Sequence, residues 1–258
     1  MDNLFSLNNK VAVITGGYGD IAMGITKAYL DAGALVVQVG RNEKKLENAR
    51  RELNFPVNLF GEVADITNQE QVESLVYKIE KNHKKIDILV NAAGYQHREP
   101  SLSFKLSEWD KIIRTNLTGS FLFSKSVSEI MIKNGFGRII MLTSLTSEIG
   151  IPGISAYAAS KGGVRQYSKT LAVELAQYGV TVNCIGPGRF ETSMTTKVFE
   201  DIKKKASFLK VIPMGRAGTP EDLAGISIFL ASESSSYITG QSFYVDGGWL
   251  AGCGNILG

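Results

Sequence analysis

The sequence predicts an α/β fold, a doubly wound Rossmann-type parallel sheet of about seven strands with helices on both faces. Short, nearly continuous apolar runs alternate with longer amphipathic ones. Strands that are apolar on both faces belong to parallel sheets covered on each side. A glycine-rich turn follows the first apolar run and opens an amphipathic segment, the placement that gives such a turn meaning. The length, 258 residues, suits one large α/β domain better than two small ones. Residues 1–258 are therefore expected to form one domain, with a helical lid around 189–218 where the alternation breaks.

The elements follow in order. Residues 11–14 read as the first strand and 21–32 as its helix; 35–39 as the second strand, with a charged helix from Glu43. Residues 57–60 read as the third strand, 69–82 as a helix, 86–90 as the fourth strand and 107–133 as two helices. Residues 138–142 read as the fifth strand, 156–178 as a long helix and 180–183 as the sixth strand. A late helix opens at Pro220, where a proline is tolerated in the first turn, and 242–245 closes the sheet.

Composition excludes several function classes. The chain is 44% hydrophobic and 21% charged, and 28 Lys and Arg against 25 Asp and Glu leave a net charge of +3. That is too little, and too dispersed, to single out nucleic acid or an acidic membrane; Lys203, Lys204 and Lys205 read as a solvated helix face. Two cysteines, Cys184 and Cys253, and two histidines, His83 and His97, give no metal-ligand spacing and no disulfide framework, so no metal is expected and a reducing cytoplasm fits. No basic-then-apolar leader opens the sequence, and no run of 18 apolar residues is present, so neither secretion nor a membrane span is expected.

The turn after the first strand is Thr15-Gly16-Gly17-Tyr18-Gly19-Asp20-Ile21-Ala22. Glycines let backbone approach a pyrophosphate, and the helix behind supplies free N–H groups. Gly16, Tyr18, Gly19, Asp20 and Ile21 are the expected dinucleotide contacts. Asp20 is placed to cap the helix and also brings a negative charge near the phosphates. After the second strand, in Gln38-Val39-Gly40-Arg41-Asn42, no carboxylate is available for a ribose 2′-hydroxyl. Gly40 leaves room and Arg41 suits a 2′-phosphate, so NADP(H) is expected over NAD(H), although no second cation stands in the glycine turn.

Ser144 follows the fifth strand, Tyr157 lies thirteen positions on, and Lys161 four beyond that. Residues four apart share a helix face. Reducing a carbonyl by hydride leaves an alkoxide that needs a proton, and a tyrosine can give it. Bringing the phenol from about 10 to about 7 takes about 4 kcal/mol, roughly what one ammonium about 4 Å away supplies at a dielectric near 20. Ser144 would hold the reacting oxygen. Ser147 either touches substrate or caps a turn.

These motifs resemble the short-chain dehydrogenase/reductase family over about Leu7–Gly252. Asp65-Ile66 resembles its adenine contact, and Asn91-Ala92-Ala93-Gly94 its segment along the cofactor. Asn116 resembles the catalytic asparagine that completes a tetrad with Ser144, Tyr157 and Lys161. In Pro187-Gly188-Arg189-Phe190-Glu191-Thr192, the resemblance implies cofactor contacts at Pro187, Gly188, Phe190 and Thr192, with Thr192 on the carboxamide. It also implies that Lys161 binds the nicotinamide ribose and that the chain forms homotetramers. Asp20 and Ala22 depart from the family's glycines.

The two ends, Leu4–Leu7 and Tyr244–Ala251, look most like gluconate 5-dehydrogenase-type and related sugar or polyol enzymes, and next like 3-oxoacyl-carrier-protein reductases. Polar Gln96, Thr146 and Arg189 are candidate substrate residues, beside Leu145, Glu148, His97 and Ile154. They point to a sugar, sugar acid or polyol, with a β-keto thioester as alternative. A silent NADP-binding scaffold is the competing class, resting on Asp20 alone. Epimerases and dehydratases of this scaffold need a larger substrate domain than the length leaves.

Overall fold

Alternate residues of each central strand face opposite helical layers. Val13, Val37, Val39, Ile139, Met141, Val180 and Val182 enter one apolar core, whereas Ala12, Ile14, Val36, Ile140, Leu142 and Ile185 enter the other. This period-two split is why the strands are apolar throughout. The computed structural model describes residues 4–193 and 195–252; Cys253 lies outside them. The strands β1 (Val11–Thr15), β2 (Leu35–Gly40), β3 (Leu59–Val63), β4 (Ile88–Asn91), β5 (Gly137–Leu142), β6 (Val180–Pro187) and β7 (Ser242–Val245) form one parallel sheet in the order β3-β2-β1-β4-β5-β6-β7.

Helices α1 (Asp20–Asp31) and α9 (Ala224–Ala231) cover one face through Ile25, Tyr29, Leu230 and Ala231. The Tyr29 hydroxyl reaches across to Ser227 O at 3.2 Å. Helices α3 (Gln69–His83), α5 (Gly119–Asn134) and α6 (Ser155–Leu175) cover the other face, with Phe123 and Met131 fully buried. Helix α2 (Glu43–Glu52) follows β2, α4 (Leu106–Ile113) precedes α5, and α7 (Thr196–Phe199) and α8 (Ile202–Leu209) stand between β6 and α9. Among the described residues no helix is long and apolar enough to cross a membrane.

The elements depart from the sequence expectation in a few places. The third strand begins at Leu59, not Val57. Asn54 and Phe55 take φ of +58° and +48°, Pro56 follows, and Leu59 N bonds Pro56 O at 3.1 Å. That turn occupies the chain up to Leu59 and leaves Val57 95% exposed. The sixth strand runs on to Pro187, paired with Val245 at its end. The late helix opens as a 3₁₀ turn at Pro220–Leu223. Between α4 and α5 the helix widens to a π turn, Arg114–Thr118, with Asn116 in its middle.

The strand order reverses between β1 and β4. Crossovers leave in opposite directions there, so a crevice opens at the carboxyl ends of these two strands. Thr15 and Asn91 face each other at that edge, and Thr15 Oγ1 accepts from Ala92 N (3.1 Å) and Ala93 N (3.2 Å).

Candidate active site

The glycine turn forms one wall of the crevice. Gly16 holds φ +67°, and a Cβ there would lie 2.7 Å from Ala93 Cα, so only glycine fits. The turn is tied from below: Gln38, fully buried on β2, donates from Nε2 to Gly17 O (2.7 Å) and Thr26 Oγ1 (3.1 Å). Nothing in the sequence pattern singled out Gln38. The α1 cap is Gly19 with no side-chain bond, so the expected Asp20 cap does not form. Asp20 is the first helical residue, and its carboxylate bonds Ser193 instead. Ile21 follows it, packed against the core.

Gly40 does not leave open room as expected, because a Cβ there would lie 2.4 Å from Tyr18 Cε1; the tyrosine ring occupies that space. Arg41 is exposed beside it. The glycine turn itself carries no cation, but one approaches from α2: Asn42 caps that helix by accepting from Lys45 N (3.0 Å), and Lys45 Nζ lies 5.5 Å from the Tyr18 ring centre. The cap signal at Asn42 would have placed Lys45 in that first turn. Asp65 Oδ1 accepts from Thr67 N (2.9 Å) and Thr67 Oγ1 (2.8 Å). Ile66 packs under Gly119.

Asn91 does not turn its amide to the crevice. It is buried, with Nδ2 on Ser124 Oγ at 2.9 Å. Ala92 and Ala93 line the floor through their backbone, and a Cβ on exposed Gly94 would lie 3.7 Å from Asn116 Oδ1 and 3.9 Å from Lys161 Nζ. Asn116 is fully buried in the π turn. Its Oδ1 accepts from Tyr95 N (2.7 Å), and Nδ2 donates to Tyr95 O (3.1 Å) and Ser160 Oγ (2.9 Å). The wider turn points Asn116 at the strand edge, and a helical period alone does not reveal it.

Tyr157 and Lys161 share a face of α6. Lys161 is 4% exposed, donates to Leu142 O at 2.6 Å and stands 5.7 Å from the Tyr157 ring centre. Burial holds Lys161 down at about 8, with Cys184 acting slightly the other way. Tyr157 is half-buried; burial pushes its phenol up, and a hydrogen bond with Ser144 pulls it down. The expected lowering of Tyr157 toward 7 is therefore not what this geometry produces. Desolvation of the phenol outweighs the pull of its hydrogen bond with Ser144.

Ser144 Oγ caps a 3₁₀ turn by accepting from Thr146 N (3.2 Å). The Thr146 hydroxyl is buried without a partner. Ser147 donates to Ser144 O (2.6 Å) and meets Tyr244 OH (3.2 Å), so it serves the turn. Glu148 is held by Tyr244 OH (2.6 Å) and Arg165 (2.9 Å). This network was not visible in the sequence, because its members stand far apart in the chain.

Beyond β6, Gly188 packs on Asp246 and Pro187 ends the strand. The Phe190 ring is buried in the core, leaving only its backbone for any ligand. Thr192 N is held by Thr195 Oγ1 at 2.9 Å. Arg189 donates to Phe208 O (2.8 Å) and lies between the Phe208 and Trp249 rings at 4.5 and 4.6 Å. Burial and neighbouring Arg98 both lower it. Arg189 also borders a cleft of about 350 Å³ shared with Tyr244, Asp246 and Met214, which does not include Tyr157 or Lys161. Gln96 is half-buried, and His97 is turned to Glu99 at 3.4 Å. Among the described residues no group of three His, Cys, Asp or Glu is placed to hold a metal.

A family model described as Enoyl-(Acyl carrier protein) reductase matches residues 18–250. The chain is 40% identical to a 3-oxoacyl-[acyl-carrier-protein] reductase of Chlamydia pneumoniae, covering 94% of this chain and 98% of that one. It is 36% identical to gluconate 5-dehydrogenase of Gluconobacter oxydans, covering 95% and 96%. A solved structure of gluconate 5-dehydrogenase from Burkholderia cenocepacia in complex with NADP and tartrate superposes with a TM-score of 0.92 at 36% identity, over 96% of this chain and 98% of that one. On fold, motif placement and these relatives together, the chain belongs to the short-chain dehydrogenase/reductase family of oxidoreductases.

Proposed function

We propose that the protein interconverts a ketone and a secondary alcohol on a sugar acid with NADP(H) as its partner. The observation that carries this reading is the cluster of Ser144, Tyr157 and Lys161 at the carboxyl edge of the sheet, beside a glycine turn that admits no side chain at Gly16. The residues present fit a dinucleotide. The α1 N-terminus faces the crevice, Gly94 leaves a bare ledge before Lys161, and no hydrogen bond or ion pair among the described residues engages exposed Arg41. Arg41 and Lys45 would hold a 2′-phosphate, with the Tyr18 ring between β2 and the adenosine. Asp65, Ile66, the backbone at 92–94 and the segment 187–192 would flank the rest. The bound cofactor supplies or takes the hydride.

Tyr157 gives its hydroxyl proton to the oxygen that becomes the alcohol, and takes it back in the reverse direction. Lys161 bears the positive charge that steadies the phenolate in the meantime. Ser144 donates to the same oxygen, and Asn116 fixes the loop at Tyr95 that borders Lys161. Residues 189–218 act as the lid of a single Rossmann-type unit.

Arg189 and Arg98 support the acid. Burial and neighbouring Arg98 both lower the Arg189 guanidinium, and two neighbouring cations favour an anionic ligand. A β-keto thioester is the second reading, favoured by the 40% identical reductase. Exposed Leu102, Leu106, Phe121 and Val173 on and beside α4, α5 and α6 support self-association as a homotetramer, and the buried free Cys184 is at ease in the cytoplasm.

The test is a fluorescence titration with NADPH and NADH, followed by a turnover screen of keto sugar acids, ketoses and β-keto esters. Preferential NADPH binding that Arg41→Ala removes, with turnover of keto acids, is the expected result. Binding without turnover of any carbonyl would favour the silent scaffold.

A further inference from the structure

The dinucleotide reading leaves one contact of the crevice unused. Asp20 Oδ2 accepts from Ser193 N at 2.9 Å and from Ser193 Oγ at 2.7 Å. Asp20 begins α1 on the glycine-turn wall, and Ser193 stands at the base of the lid, just before α7. The other hydrogen bonds of that base stay on its own side. Glu191 N reaches Gly218 O (2.8 Å), Gly218 N reaches Arg189 O (2.9 Å), and Thr192 N reaches Thr195 Oγ1 (2.9 Å). Among the described residues, the Asp20–Ser193 pair is therefore the hydrogen-bonded bridge from the lid base to the turn.

A carboxylate at the first helical position is favoured by the helix dipole, and its bonds to N–H and O–H are charge-assisted. Close to where a pyrophosphate would lie, the same charge opposes binding. Charge alone therefore predicts that Asp20 loosens the cofactor, whereas the bridge predicts that it retains it. The two effects have opposite signs on the rate of release.

We propose that Asp20 and Ser193 form a clasp that holds the lid base against the glycine turn and slows release of the bound dinucleotide. The proposal rests on the NADP(H) reading above. Asp20 is then a positioning residue that acts through Ser193.

The experiment is stopped-flow displacement of NADPH from the full-length protein, with equilibrium titration and urea unfolding as controls. Asp20→Ala is expected to release NADPH about tenfold faster, equivalent to about 1.4 kcal/mol, with a cooperative unfolding transition retained and its midpoint only slightly lowered. Asp20→Asn loses the charge but still accepts both bonds, and should stay within about twofold of the parent. Ser193→Ala keeps the N–H bond and should fall between. The double variant Asp20→Ala, Ser193→Ala should release no faster than Asp20→Ala, since one bridge is lost once. Slower or unchanged release from Asp20→Ala, or equal effects of Asp20→Ala and Asp20→Asn, would overturn the clasp. If the parent binds no NADPH at all, the cofactor reading fails, and the clasp with it.

Discussion

Lys161→Met should make the protein more stable and inactive. Lys161 is 4% exposed and its ammonium donates to Leu142 O at 2.6 Å. Burial lowers it from 10.5 to about 8. At pH 7 both folded and unfolded chains carry the proton, so the folded state bears the whole desolvation cost. At about 1.4 kcal/mol per tenfold, that cost is about 3 kcal/mol. Between about pH 8 and 10.5 the folded chain gives up the proton while the unfolded chain keeps it, so this contribution makes stability rise with pH. Methionine removes the charge at similar length but leaves Leu142 O without its donor, which costs about 1 kcal/mol. The variant should therefore gain about 2 kcal/mol at pH 7, and the gain should shrink to near zero by about pH 10. Tyr157, raised by burial, opposes only near and above pH 10 and in both proteins, so it cancels in the difference. Urea unfolding followed by tryptophan fluorescence at several pH values measures this. A variant less stable than the parent at pH 7, or a gain that does not vary with pH, would show that Lys161 carries no desolvation cost in the folded protein.

Three further outcomes follow from the same geometry. Tyr157→Phe removes the proton donor and its hydrogen bond with Ser144; turnover should fall by about 10³-fold or more, while the NADPH titration stays within about twofold. Arg189→Ala and Arg98→Ala should each raise KM for an acidic substrate by about tenfold, the worth of a hydrogen bond to a charged group, and leave a neutral ketone unaffected; equal effects on both substrates would show that the guanidinium groups do not read the acid. Gly162→Ala should stabilise by about 1 kcal/mol, because nothing lies within 4 Å of the added Cβ. By contrast, Gly163→Ala brings its Cβ within 2.9 Å of Leu117 Cδ2 and should give less than that or lose stability. Thermal melting of the pair separates the two.

The parallel sheet and its two-layer core were legible because both-face burial writes itself as unbroken apolar runs, and the pairing of Tyr157 with Lys161 because they lie one helical turn apart. Where legibility failed, the cause was either an unforeseen tight turn or a contact between residues far apart in the chain. Val57 is apolar and reads as strand, yet the positive-φ pair Asn54 and Phe55 delays the strand and leaves Val57 in solvent. Asp20 reads as a cap because of its neighbours, yet its partner is Ser193, on the far side of the crevice. Glu148 reads as a pocket acid until Tyr244 and Arg165 are brought to it. Gly40 reads as room for a phosphate, and Tyr18 from the preceding turn fills it.

The acidity of Tyr157 is set by two opposing effects, the nearby Lys161 charge and burial. The Lys161 ammonium stands 5.7 Å from the Tyr157 ring centre, and a positive charge beside the ring favours a phenolate. Burial opposes this and wins, since the phenol lies above its ordinary value. A resting tyrosine held neutral is the form that can donate, so reduction needs no standing phenolate. What it needs is a charge already in place when the proton leaves, and Lys161 at about 8 still carries its proton at neutral pH. In the oxidative direction Tyr157 must first lose its proton, and the same burial resists it. The rate of alcohol oxidation should therefore rise with pH up to about 8, while ketone reduction falls as Lys161 loses its charge. Opposite pH slopes for the two directions, measured on one substrate pair, are the expected outcome. Parallel slopes would mean that Lys161 does not set the charge on which Tyr157 depends.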